Sequence, residues 1–276
     1  MNNASSPGEG ASSPVTTYLY HLYGEDEIFR AEAAYSIGSL LRKTDPARTR
    51  IVLFTDDPAR VRSLPVVCES IADEIQAMRG PSGFGYRIKL CCILKCAKKF
   101  PGNIIYLDCD TIVKGPIHDV AAGLGNRQAL MYKQERLADR FPEFYGFKMK
   151  LPDGAEYRYG PESCMFNAGV IGFHSNNAKA FETALAICDA LLADGRRNHI
   201  CEQFAVTEAF RIAGLNILAA DKVVAPYYRG SAKRYMHDQL SRFAAMNKGE
   251  LWKPERPIPY SYPRVQLHKL MRKLGK

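Results

Sequence analysis

The 276-residue chain is expected to be an α/β protein with a mostly parallel central sheet flanked by helices. Three observations lead there. Short β-rich runs alternate with segments of helical apolar spacing over about the first 125 residues. Two of those runs, 50–55 and 103–107, are apolar throughout, as strands covered on both faces are. The composition, 46% hydrophobic and 24% charged, can bury a proper core and excludes wholesale disorder.

Taken in order, residues 15–22 (VTTYLYHL) are β-branched and aromatic and form the first strand. Residues 29–43 place Phe29, Ala33, Ile37, Leu40 and Leu41 on one helix face. The strand over 50–55 ends at Asp56-Asp57-Pro58, a helix-start signal. Val66-Val67-Cys68 is a candidate third strand. Residues 86–100 form a helix closed by Pro101-Gly102, and 103–107 (NIIYL) a buried strand that runs into Asp108-Cys109-Asp110. Strands are expected over 128–132 and 165–173, with an aromatic, charged loop over 133–164 between them. Helices follow over 177–192 and 201–212. Residues 222–276 are rich in Pro, Tyr and basic side chains with weak periodicity, so an extended wrapping segment is expected there. No internal repeat is visible.

The formal charge of +9 is local. Residues 1–221 hold 25 basic and 26 acidic side chains, whereas 222–276 hold 13 and 3. That distribution suits a local anionic partner rather than a uniformly basic protein. Eight cysteines without a C-x-x-C pair lie mostly in apolar runs and are expected to be reduced and mostly buried, which suggests a cytoplasmic setting. No stretch approaches the roughly 18 consecutive apolar residues of a membrane-spanning helix. Residues 1–14 lack the basic start and apolar run of a signal peptide and read as a disordered leader.

Three motifs carry chemistry. Ile104-Ile105-Tyr106-Leu107 delivers Asp108 and Asp110 at the carboxyl end of a strand. Two hard oxygen donors there suit Mg2+ or Mn2+, which prefer few carboxylates plus substrate phosphates; a solvated Asp-x-Asp turn uses the same residues without chemistry. In Met165-Phe166-Asn167-Ala168-Gly169-Val170, a polar Asn and a small pair interrupt an apolar run. Gly permits close backbone approach by a ligand and Asn can hold a hydroxyl, while a bulge in a core strand explains the same pattern. Glu202-Gln203 opens an amphipathic helix, where an acid–amide pair can grip sugar hydroxyls or simply stabilise the helix start.

In this order the motifs resemble the retaining glycosyltransferases of family 8, the glycogenin and lipopolysaccharide galactosyltransferase group. That group shows a helix carrying Arg/Lys, a strand ending Y-L-D-x-D, then F-N-[SA]-G-V, then [DE]-Q and a C-terminal His. Here Tyr86-Arg87-Ile88-Lys89-Leu90 precedes the acidic motif, and the resemblance covers roughly 15–211 plus His268. It implies a GT-A fold and transfer of a hexose-type sugar, with retention, from a nucleotide-sugar donor such as a UDP-sugar, using Mn2+ or Mg2+. The acceptor, a glycan, lipid or protein, is not specified. Asp108 and Asp110 would hold the metal, with His268 as third ligand and Asp108 also near the ribose or sugar. Lys89 and Arg87 would meet the phosphate or donor sugar. Asn167, Ala168 and Gly169 would line the sugar pocket, with Glu202 and Gln203 beside the reacting carbon and acceptor. Tyr23 would stack on the base, and Lys269 or Lys273 would meet the diphosphate. The domain organisation that follows is a leader over 1–14, a nucleotide-sugar-binding catalytic domain over 15–221 and a basic segment over 222–276 that completes the site.

The chain departs from that pattern at three places, one of them Glu202, which replaces the commoner Asp and is one methylene longer. The Gly and Lys-Pro-Trp that follow the C-terminal His are replaced by Lys269-Leu270-Met271-Arg272-Lys273, and Tyr23-Gly24-Glu25-Asp26 stands after the first strand. Rival readings fare worse. A D-x-D phosphatase wants Thr or Val where Ile112 stands, and a sugar-nucleotide pyrophosphorylase needs a Gly-rich loop after its first strand. A non-catalytic protein would use the basic segment, with Arg229, Lys233, Arg234, Arg242 and Lys248 interleaved with aromatics, to bind nucleic acid. No nucleic acid is expected; peripheral contact of 222–276 with an anionic membrane, at its inner face, is the preferred use of that charge.

Overall fold

The structure, a computed structural model, describes residues 15–137, 141–246, 252–253 and 257–274, so the leader expected over 1–14 lies outside it. The chain runs β1 (Thr16–Leu22), α1 (Glu27–Leu41), β2 (Thr49–Thr55), β3 (Val67–Ser70), α2 (Ile75–Arg79), α3 (Arg87–Lys99), β4 (Asn103–Leu107), β5 (Thr111–Val113), α4 (Ile117–Ala122) and β6 (Gln128–Met131). It continues with β7 (Gln134–Leu137), β8 (Lys148–Lys150), β9 (Glu156–Arg158), β10 (Cys164–Phe166), β11 (Val170–His174), α5 (Lys179–Ala193), α6 (Cys201–Ile212), β12 (Asn216–Ala219), β13 (Val224–Pro226), α7 (Gly230–Met246) and α8 (Tyr262–Lys273).

Seven strands form one sheet in the order β12-β6-β11-β4-β1-β2-β3. All neighbours run parallel except β11, which is antiparallel to both β4 and β6. The continuous apolar runs of β1, β2 and β4 follow from this position, because side chains on both faces are covered. Leu19, Ile104 and Tyr106 join a core with α3, α5 and α6 on one face. Tyr18, Tyr20, Ile105 and Leu107 join a second core with α1 on the other. A third cluster, built from Tyr35, Tyr227, Tyr235, Met236, Leu240, Ile258 and Val265, ties α1 to α7 and α8.

Four expectations need correcting. The single strand over 165–173 is two strands in different ladders: β10 pairs with β7, and β11 enters the main sheet. Asn167–Gly169 is the crossing between them, where Asn167 donates its backbone N–H to Lys133 O and accepts from Tyr132 N–H with its own carbonyl. The loop over 133–164 contains β7 and a small β8–β9 hairpin. The described part of 222–276 is not extended: β13 pairs with β5, and α7 and α8 are helices. Of the eight cysteines, all free, four are buried, three half-buried and Cys68 exposed.

Candidate functional site

β4 ends at Leu107 and carries Asp108, Cys109 and Asp110 past the carboxyl edge of the sheet, the place where ligands bind in open α/β folds. The turn is fixed from three sides. Asp108 N–H donates to Gly169 O (2.9 Å), Tyr227 N–H donates to Asp110 O (2.9 Å), and Thr111 Oγ1 donates to Asp108 O (2.8 Å). A cavity of about 320 Å³ opens over this edge, lined among others by Tyr23, Glu32, Lys89, Asp108, Asp110 and Lys233.

Lys89 is the hub. It projects from the first turn of α3, buried, with Nζ 3.1 Å from Asp108 Oδ1, 3.4 Å from Glu202 Oε1 and donating to Ala168 O at 3.2 Å. Burial pulls the ammonium pKa down, but Asp108 and Glu202 outweigh it and leave it raised. Glu202, at the start of α6, is buried with an Oε1 that accepts no hydrogen bond, since Lys89 pairs with it only as a charge. Burial pushes its carboxyl up to about 7, against the pull of Lys89. Glu202 does not line the cavity; it stands behind Lys89.

Asp108 Oδ1 also accepts the Tyr106 hydroxyl proton at 2.5 Å. The same hydroxyl lies 2.8 Å from His21 Nδ1. Burial, helped by the charge of Lys89, holds His21 down at about 4, so the ring is neutral. With the Tyr106 proton committed to Asp108, His21 must donate from Nδ1. On the opposite side Lys233 of α7 reaches Asp110 Oδ2 at 3.5 Å and Glu32 Oε1 at 4.0 Å, while His237 Nε2 lies 2.9 Å from the same Glu32 oxygen. Burial first, and the charge of Asp108 second, push Asp110 up to about 6.

Three carboxylates, Glu32, Asp108 and Asp110, thus line the cavity with two lysines, and Glu202 stands behind Lys89. With more carboxylates than ammonium groups around it, a diphosphate entering the cavity gains from a cation beside it. By donor chemistry Asp108 and Asp110 fit a hard divalent ion shared with substrate phosphates. Among the described residues no group of three His, Cys, Asp or Glu side chains could hold a metal without substrate.

Beside Asp108 the chain crossing is kept small. A methyl group on Gly169 would stand 3.1 Å from Asn167 Oδ1 and 3.4 Å from Asp108 Oδ2. Asn167 is oriented by Gly169 N–H, which donates to its Oδ1 (3.0 Å), and by Glu135, which accepts from its Nδ2 (3.3 Å). Glu135 accepts from Gln203 (3.3 Å) and from the Tyr228 hydroxyl (3.0 Å) as well. Asn167, Ala168, Gly169, Glu202 and Gln203 are therefore brought to one side of Asp108.

Other expected site residues lie elsewhere. Arg87 is turned away from the cavity and clamps Asp189 through Nε (2.7 Å) and a second nitrogen (3.0 Å). His268 sits on α8, 2.8 Å from Asp238 and edge-on to Tyr235, and with Lys269 lines a different cavity from Asp108 and Asp110. Tyr23 does line the site, with the Arg79 guanidinium 5.8 Å from its ring centre. Sequence reasoning missed Glu32, His21, Tyr106 and His237 and placed Lys233 only in a basic stretch. The one available signal was a Glu on the apolar face of the first helix.

No protein-family model matches the chain, and no curated protein matches it. Among solved structures it is similar to mouse xyloside xylosyltransferase 1 in its apo form, with a TM-score of 0.48 and 18% identity over 75% of this chain and 86% of that one. It is also similar to the apo bifunctional glycosyltransferase WbbM, with a TM-score of 0.49 and 15% identity over 86% of this chain; it spans only 45% of that protein.

Proposed function

We propose that the chain is a GT-A-type glycosyltransferase that moves a hexose-type sugar, with retention, from a UDP-sugar or related nucleotide sugar to a hydroxyl of a glycan, lipid or protein. The observation that carries this reading is the convergence of Lys89, Asp108 and Asp110 on one cavity past the carboxyl end of β4, with the side-chain-free Gly169 close beside Asp108. A divalent ion held by Asp108 and Asp110 would supply charge neutralisation for the departing nucleotide. The chain's own residues do the rest. Tyr23 offers a ring to the base, Lys89 and Lys233 place ammonium groups at the phosphates, and Gly169 lets the sugar lie against backbone. Tyr106 and neutral His21 fix the Asp108 carboxylate, so the site is set by positioning and electrostatics. Glu202, screened by Lys89, is a positioning residue rather than a nucleophile, which favours same-face attack over a covalent sugar intermediate. Thermal-shift measurements with nucleoside diphosphates and UDP-sugars, with and without Mn2+, test the proposal. Stabilisation that requires Mn2+ is expected in the wild type and is expected to vanish in Asp110→Asn without change in circular dichroism. Stabilisation by none of these ligands, with or without the ion, overturns it.

A further inference from the structure

A second cavity, of about 390 Å³, lies next to the first. The chain just after β6, the end of β13 and the first turns of α7 and α8 enclose it. The rings of Tyr132, Tyr228, Tyr260 and Tyr262 line it together with Lys133 and Arg229. No carboxylate is among its lining residues, whereas Glu32, Asp108 and Asp110 line the first. The two cavities meet at the chain crossing. A methyl group on Gly169 would stand 3.4 Å from Asp108 Oδ2 and 3.9 Å from Cβ of Pro226, which lines the second cavity. Helix α7 gives Ser231 and Ala232 to the second cavity and the next residue, Lys233, to the first. The Tyr228 hydroxyl donates to Glu135, the carboxylate that also holds Asn167 and Gln203.

The lining specifies a ligand. The face of a tyrosine ring is electron-rich and packs well against the polarised C–H bonds of a saccharide ring. Arg229 Nε donates to the Tyr228 hydroxyl (3.3 Å), and the Lys133 and Arg229 cations each lie 5.5 Å from the centre of the preceding tyrosine ring. Among the described residues no carboxylate pairs with either cation. A guanidinium and an ammonium without counter-charge, set beside stacking rings, suit a sugar that brings its own negative group.

We propose that the second cavity is the acceptor site, and that the acceptor is a saccharide bearing a carboxylate or a phosphate, with its rings on the tyrosines and its charge at Lys133 and Arg229. The proposal rests on the sugar-transfer reading of the first cavity and goes beyond it by naming the class of acceptor. The acceptor hydroxyl oxygen forms the new bond to the anomeric carbon as that carbon's bond to the phosphate oxygen breaks, and the hydroxyl proton passes to the released diphosphate.

NMR titration of the full chain with glucose, glucuronic acid, glucose 6-phosphate and inorganic phosphate tests it. At least one charged sugar is expected to bind about ten-fold or more tighter than glucose and than inorganic phosphate, and the tighter of the two identifies the negative group. Arg229→Gln/Lys133→Gln is expected to abolish that preference with an unchanged thermal melt. Tyr262→Ala, which removes a ring that is 76% exposed, is expected to weaken all three sugars about three-fold or more and to leave inorganic phosphate unaffected. Charged sugars that bind no tighter than glucose overturn the proposal, as does inorganic phosphate that binds as tightly as they do. A preference that survives Arg229→Gln/Lys133→Gln places the anion elsewhere and equally overturns it. Stabilisation by UDP with Mn2+ separates the two readings: if it holds while the preference is absent, only the acceptor assignment falls. Charged-sugar binding without any such stabilisation strikes sugar transfer itself, and the acceptor assignment with it.

Discussion

At the scale of single residues, the site is governed by where charge is buried. Lys89 holds two carboxylates, yet only Asp108 gains other donors; Glu202 is left with an oxygen that no hydrogen bond reaches. That difference sets a pH dependence. An ordinary Glu side chain titrates near 4.5, whereas folded Glu202 is pushed up to about 7. Below 4.5 both folded and unfolded forms are protonated and the group has no effect. As pH rises from 4.5 to 7 the unfolded chain ionises first, so the folded state loses stability relative to it, and above 7 the loss is constant. Glu202→Gln removes this titration. Its stability relative to wild type is therefore expected to climb by up to about 3 kcal/mol across that window and then level off, read by urea unfolding at each pH. A difference that stays flat through the window would contradict the buried, charge-paired environment assigned to Glu202.

At the scale of elements, α1 shows how the late part of the chain is fastened to the early part. A methyl group on Gly38 would stand 2.5 Å from the Trp252 carbonyl oxygen, so the backbone at Trp252 lies directly on the helix. Gly38→Ala is expected to cost about 1–3 kcal/mol through this clash. Trp252 is the only tryptophan of the chain, so its fluorescence reports the same event, with an expected shift to the red as the ring gains water. Unchanged emission and stability would show that the contact yields freely. The same elements mark what a sequence can carry. β4 and its two aspartates were legible because a continuous apolar run ends abruptly in charge, and α6 because its amphipathic period is clean. β5, β12 and β13 are three or four residues long and carry no usable pattern. The helix α8 was hidden because its apolar residues face outward and its core contact is Val265 alone. Glu32 and His21 belong to the site only through tertiary packing, and Lys233 only because α7 returns across α1.

At the scale of the whole molecule, the described part of the last fifth of the chain is part of the body and not an appendage. β13 pairs with β5, Tyr227 secures the backbone of Asp110, Lys233 lines the cavity, and Tyr35 is covered by Ile258. Removal of 222–276 is therefore expected to abolish nucleotide-dependent thermal stabilisation and to broaden unfolding, with near-UV circular dichroism reduced and dye binding to exposed apolar surface increased. A truncated chain that melts sharply and responds to UDP as the wild type does would show that the body stands alone.

The hydrogen bonds between Tyr35 and Ile258, in which the phenol donates to the carbonyl and accepts from the N–H, join residues 223 positions apart. Contacts so distant along the chain are formed late and slow the search for the native state. During synthesis, helix α1 has emerged from the ribosome long before its cover exists, and the acidic turn waits for Tyr227. For that interval the nascent chain presents Tyr35 uncovered on α1, which makes the order of translation part of how the candidate site is assembled.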